Sequence, residues 1–297
     1  MNGFLYLLTV SIWGTTWIAI KLQLGVVAVE ASMLYRFALA ALLMVAGISL
    51  LRRWHPMSRR DHLFCLAQGA CLFCFNFYCF YNATAYISSG MASVLFSMAT
   101  VSNSLFAWLF YKQRPTLRVL SGSLVGVLGV SAMLWPDLSG DRGSEQLLGV
   151  LLGLLGTLLF SLGNMISMRH RRQSLPLPTT NAWGMIYGVT LICGLVLLRG
   201  VELSFDPSPS YVWSLFHLAV PGTVVAFAAY LSLVNRIGPD KAAYSTVMFP
   251  TVALLISTLY EGYQWTPVAV VGFVLVLLGN LLIFARLPQR RPAVAPA

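Results

Sequence analysis

Residues 87–129 read ISSGMASVLFSMATVSNSLFAWLFYKQRPTLRVLSGSLVGVLG, and residues 237–279 read IGPDKAAYSTVMFPTVALLISTLYEGYQWTPVAVVGFVLVLLG. Laid over one another without gaps, they align Ile87 with Ile237, Ala92 with Ala242, Met98 with Met248, Leu105 with Leu255, Thr116 with Thr266, Gly122 with Gly272 and Gly129 with Gly279. Self-similarity at one fixed offset marks a duplicated structural unit. Each copy holds two continuous apolar runs of about 20 residues, the length a helix needs to cross the hydrocarbon core of a bilayer. Barrel strands would alternate instead. With no water at that depth, backbone amides and carbonyls must pair with each other, and a helix achieves this within one segment.

The rest of the chain has the same texture. Hydrophobic residues make up 58%, charged residues 9%, and the mean hydropathy is +0.78, whereas soluble domains carry roughly 25% charged residues. Apolar runs lie near 3–21, 30–51, 63–82, 87–110, 117–135, 146–168, 179–198, 211–234, 239–260 and 266–285. The longest connection, Pro136–Glu145, is too short to build a core of its own, so function must lie inside the bundle. The first run begins at the N-terminus without a basic region or a cleavage site and reads as a retained span. The expected fold is an all-α integral membrane protein whose ten transmembrane helices form two inverted five-helix repeats, 1–135 and 146–285, followed by a short basic tail at 286–297. Because five is odd, the second half enters the membrane from the opposite side, an arrangement secondary transporters use for alternating access.

The formal charge of +10 raises the question of nucleic acid. The basic residues answer it by their placement: they form short clusters between apolar runs instead of one patch. With a cytoplasmic N-terminus, the inner loops and tail hold Arg52, Arg53, Arg59, Arg60, Lys112, Arg114, Arg118, Arg169, Arg171, Arg172, Arg236, Lys241, Arg286, Arg290 and Arg291, fifteen of the nineteen. Lys21, Arg142 and Arg199 fall outside, and Arg36 lies within a span. That bias places both termini in the cytoplasm of a multi-pass protein of the inner or plasma membrane. Expected partners are the bilayer and a small-molecule substrate, with no nucleic acid and the chain a monomer or weak homo-oligomer. Cys65, Cys71, Cys74, Cys79 and Cys193 read as small packing residues, since the ligands a metal would also need are absent around them. No cofactor is expected.

All nine acidic residues fall in loops or at helix ends, so no carboxylate waits at midplane. Proton or sodium coupling commonly uses one, and its absence points to facilitated or weakly coupled transport, with His217 as the fallback proton carrier. Arg36 is charged within a span; either it reaches outward or to a helix carbonyl, or it contacts a substrate carboxylate. The third span mixes rings with amides, and Asn76 there needs partners in another helix or a wet cavity. The same logic selects Asn103 and Asn164 and, alongside them, Thr16, Tyr78, Ser97, Tyr230 and Ser245. Trp13 and Trp17 lie four apart and share one helix face, as cavity wall or packing. Pro250 frees a carbonyl in mid-span, where the ninth helix can kink. Together these residues describe a neutral, hydrogen-bonding cavity suited to zwitterionic or polar uncharged molecules.

Trp13-Gly14-Thr15-Thr16-Trp17-Ile18-Ala19-Ile20-Lys21 in the first span, Arg36-Phe37 in the second, Phe249-Pro250 running into Tyr260-Glu261 in the ninth, and Gly272 and Gly279 in the last resemble the EamA family of the drug/metabolite transporter superfamily over nearly the whole chain. The resemblance implies a carrier, usually an exporter of amino acids or related small metabolites, with a central cavity lined by both halves. The first half departs from the pattern, carrying Thr100 and Tyr111 where the ninth span has Pro250 and Glu261. No catalytic constellation is visible in the sequence. A membrane-embedded enzyme or a signalling or scaffold protein is the alternative; the first would usually cluster polar catalytic residues at one face, and the second leaves the internal repeat unexplained.

Overall fold

The computed structural model describes residues 2–140, 143–237 and 239–284. The tail expected at 286–297 lies outside them. Among the described residues the regular structure is wholly helical: α1 (Asn2–Leu22), α2 (Val29–Leu50), α3 (Arg59–Tyr86), α4 (Ser89–Tyr111), α5 (Leu117–Leu138), α6 (Gly143–Arg172), α7 (Leu177–Leu198), α8 (Pro209–Ala219), α9 (Ala226–Ile237), α10 (Pro239–Tyr260) and α11 (Pro267–Phe284). Helices α1 to α7 are long and apolar enough to cross a membrane, and α10 and α11 carry the shorter apolar stretches Val247–Tyr260 and Pro267–Ile283. Leucines such as Leu42, Leu124, Leu151 and Leu198 face outward from the bundle, which suits a surface solvated by lipid tails.

Local chemistry sets the helix ends. Ser58 opens α3 with a capping box, its hydroxyl accepting from the Asp61 amide at 3.2 Å while the Ser58 amide donates back to the Asp61 carboxylate at 3.3 Å. Ser88 and Ser208 cap α4 and α8 by the one-way bond, accepting from the amides of Met91 and Tyr211. Lys112 ends α4 in the left-handed region at φ 58°. Two interruptions fall inside the helical run: α3 contains a π-helical turn at Ala70–Phe75, and another at Pro221–Val225 joins α8 to α9. Such turns shift the phase of the side chains beyond them and often mark functional positions.

Helices α5 and α11 pack closely. A Cβ on Gly122 would meet the Gly279 carbonyl oxygen at 2.6 Å, and one on Gly279 would meet the Gly122 oxygen at 2.6 Å; Gly129 and Gly272 repeat this reciprocal contact at 2.6 Å. Since the obstructing atoms are backbone, only glycine permits the approach, which is how small residues bring helices together where lipid removes the hydrophobic drive. A second packed centre joins α1, α3, α4, α5, α10 and α11 through Trp17, Phe80, Met91, Leu95, Met133, Phe249 and Val276. The two halves of α4 differ. Ser89–Ser97 buries every residue except Phe96, whereas Ala99–Tyr111 buries only Ala99 and Ser102.

Candidate functional site

The wall formed by α1 is the natural starting point, because its apolar face points into the bundle. Trp17 is buried and meets three rings, Phe80 edge-on at 5.2 Å, Phe96 at 5.6 Å and Phe249 stacked at 6.4 Å, and Phe96 in turn meets Phe160 at 4.6 Å. Aromatic residues from α1, α3, α4, α6 and α10 therefore converge on one place. Trp13, one turn earlier, donates from its indole to the Gly222 carbonyl at 3.3 Å, beside the π-helical turn, and packs against Tyr230 at 5.3 Å. The pair expected to share one face of the first helix does so with two different roles, Trp17 as packed hub and Trp13 as a half-buried wall.

The amides divide similarly. Asn164 on α6 donates to Asn103 on α4 at 3.2 Å, both half-buried. Asn76 is buried, and its Oδ1 meets no donor among the described residues. The hydroxyls of Ser161 and Thr251 are buried without partners on the same terms. Gln68 donates to Ser167 and Asn181 at 3.0 Å each, tying α3 to α6 and α7. Thr16 and Ser97 donate to carbonyls in their own helices, Trp13 at 2.7 Å and Val94 at 2.6 Å, so their oxygens stay available as acceptors only. Ser245 is buried in α10, five residues before Pro250.

Arg36 lies apart from this cluster. It is 5% exposed, with its guanidinium carbon 4.4 Å from the Phe77 ring and 5.0 Å from the Phe37 ring. Tyr78 belongs to a polar group at one end of the bundle, where its hydroxyl meets Arg199, which bonds Glu30 at 2.7 Å.

At that same end Glu261, just past α10, accepts from the Ser89 amide at 3.0 and 3.1 Å and from the Ser89 hydroxyl. Lys21 lies 3.9 Å from the Glu261 carboxylate and donates to the Thr84 carbonyl. Lys21 and Glu261 thus join the ends of α1 and α10 to the turn between α3 and α4. Sequence shows each as a charge ending an apolar run, but their pairing is tertiary. At the other end Arg169 bonds Asp61 at 2.9 Å, and Tyr111 donates to the Met165 carbonyl at 2.7 Å beneath the Arg172 guanidinium. Glu30, Asp61 and Glu145 sit in first helical turns, where the helix dipole favours them. Among the described residues no three His, Cys, Asp or Glu side chains gather as a metal set.

The uncharacterized transporter YdfC of Bacillus subtilis is 28% identical over 196 residues, 65% of this chain and 61% of YdfC. The uncharacterized inner membrane transporter YedA of Escherichia coli K12 is 29% identical over 224 residues, 71% of this chain and 67% of YedA. Protein PagO of Salmonella typhimurium is 20% identical over 94% of this chain and 91% of its own length. The chain therefore spans about three fifths of YdfC and two thirds of YedA. A solved crystal structure covering 95% of this chain and 96% of its own superposes with a TM-score of 0.64 at 16% identity, which places the fold alone. The model of the EamA-like transporter family matches residues 1–135 and again 147–285. A multi-pass helical bundle matched over almost its whole length by that family's model, with transporters among its relatives, belongs to the EamA-like transporter family.

Proposed function

We propose that the chain is a secondary carrier of small polar metabolites such as amino acids, working outward by alternating access through a cavity between two inverted five-helix halves. Three observations support the halves. The π-helical turns at Ala70–Phe75 and Pro221–Val225 stand in register at the offset that aligns Gly122 with Gly272. The family model matches twice. The reciprocal glycine contacts carry the reading: the offset turns the pair Gly122 and Gly279 into the pair Gly272 and Gly129, so each contact is the other's mate across a two-fold axis.

In this reading Trp13, Thr16, Trp17, Asn76, Ser97, Asn103, Asn164, Tyr230, Ser245 and Pro250 line or shape the cavity, while Arg36 and Tyr78 lie toward the Lys21 end. The charge bias puts both termini in the cytoplasm of the inner membrane, which makes the Lys21 end external. In this reading Glu261 and Lys21 hold that end shut. Without a midplane carboxylate, transport runs down the substrate's own gradient or is weakly coupled.

Counterflow in proteoliposomes tests the proposal. Labelled neutral amino acids should exchange saturably above empty vesicles, and Asn76→Ala should weaken the exchange. No exchange across a broad panel of metabolites would remove the carrier reading.

A further inference from the structure

We infer that Arg36, Gln23 and Tyr81 form a carboxylate-binding site, so that the transported molecule carries one carboxylate; this rests on the carrier reading above. Arg36 is 5% exposed, and its Nε and one Nη find no acceptor among the described residues. The rings of Phe77 and Phe37 lie over the guanidinium and favour its charge, but they do not take its in-plane N–H groups. Tyr81, fully buried, donates to Gln23 Oε1 at 2.6 Å, and Arg36 lies close enough to act on the same hydroxyl electrostatically. Gln23, 1% exposed, is left with its Nε2 unfilled as well. Three buried side chains therefore gather, and the unpartnered nitrogens of Arg36 and Gln23 are all donors.

The surroundings sharpen the chemistry. Ala19, Ile20, Met33, Cys74 and Leu218 pack about the cluster, so water-like screening is weak there. The ion pairs at hand use Lys21, Arg169 and Arg199, and Glu30, six residues earlier on α2, is already bonded to Arg199. A buried guanidinium without a counter-charge is unfavourable, and its natural complement is a planar acceptor bearing one negative charge. A carboxylate meets both conditions, since its two oxygens accept parallel N–H bonds from a guanidinium edge. A dianionic phosphate would leave one charge uncompensated, and a cation finds only donors. Gln23 makes the site more than a lone arginine: the Tyr81 hydroxyl, bonded to its Oε1, holds the amide so that Nε2 is left to donate to a carboxylate oxygen. Ala19, which packs on this cluster, is six residues from Trp13, roughly 9 Å along α1 at the helical rise.

The donors are closed off in the present arrangement, so a carboxylate reaches them as α1, α2 and α3 part during the cycle. The test is counterflow with matched pairs of labelled probes: leucine and leucinamide, phenylalanine and phenylalaninamide, lactate and lactamide. Wild-type protein should exchange the carboxylates at least about tenfold better than the carboxamides, the ratio one charge-assisted hydrogen bond supplies. Arg36→Gln should abolish that preference by lowering carboxylate exchange alone, and Gln23→Ala should reduce it in part. A merely structural arginine would lower both members of each pair together, and that result overturns the inference. The wild-type comparison needs no variant to fold. Exchange of carboxylate-free compounds with no carboxylate among the substrates also overturns the inference and leaves the carrier reading standing. No exchange of any compound removes both.

Discussion

Gly129→Ala places a methyl group 2.6 Å from the Gly272 carbonyl oxygen and 2.6 Å from the Val276 amide nitrogen. Ordinary carbon–oxygen contact begins near ~3.2 Å, so α5 and α11 must separate by roughly 0.6 Å or distort, because neither atom belongs to a side chain that can swing aside. Overpacking of this kind costs about 1–3 kcal/mol, against a gain of about 0.5–1 kcal/mol from replacing a helical glycine by alanine. Gly194→Ala, in α7, isolates that gain, since nothing lies within 4 Å of its Cβ. The gap between the two variants is therefore about 1–3 kcal/mol, read by reversible unfolding in mixed micelles. Gly272→Ala should cost about the same, within roughly 0.5 kcal/mol, because it strikes the same contact from the other side. The double variant should cost less than the sum, as the first methyl already parts the helices. Gly129→Ala as benign as Gly194→Ala would refute the close approach and with it the paired two-fold contacts.

Trp17→Ala should destabilise the protein by about 3–5 kcal/mol, because the indole packs against Phe80, Phe96 and Phe249; a thermal melt in detergent checks it. Trp13→Phe removes the bond to the Gly222 carbonyl but keeps the ring against Tyr230, so stability should fall by only about 0.5–1.5 kcal/mol. A loss as large as that of Trp17→Ala would contradict the division between hub and wall. Glu261→Gln discharges the partner of Lys21 and weakens the hold on Ser89. A cysteine placed at the buried Ser257, with the five native cysteines replaced, should then react faster with a thiol reagent added from the Lys21 end. Unchanged labelling would show that this network does not close the bundle. Asp61→Asn leaves Arg169 without its carboxylate at a site where both side chains are 13% exposed, and should cost about 1–3 kcal/mol by the same unfolding assay.

The helical class was legible because lipid leaves the backbone few options: a continuous apolar run of about 20 residues admits little besides a helix. The third and sixth runs, read as 63–82 and 146–168, extend to Arg59–Tyr86 and Gly143–Arg172, because polar ends such as Ser58 with Asp61 cap helices beyond the apolar segment. The π-helical turn at Ala70–Phe75 could not be read in advance. The stretch ACLFCF carries no breaker, and its extra residue per turn is a tertiary accommodation. Within the site, Asn103 and Asn164 were both selected as buried amides, and the structure adds that they bond to each other. Phe96 and Phe160 escaped selection, since an apolar ring in an apolar run carries no signal until its neighbours are known. Gln23 escaped for the opposite reason: it sits at the edge of a run, where a polar residue looks ordinary, and only its bond to Tyr81 reveals it as buried.

Alternating access by two related halves is tested most directly by distances at both ends of the same molecule. Spin labels at Tyr86 and Tyr260 report the Lys21 end, and labels at Phe110 and Arg236 report the other; all four positions are exposed. The repeat offset converts one pair into the other, since Tyr86 aligns with Arg236 and Phe110 with Tyr260. The account predicts two populations in each distance distribution in proteoliposomes, with any condition that lengthens the first distance shortening the second. Distances that stay fixed, or lengthen and shorten together, would contradict it.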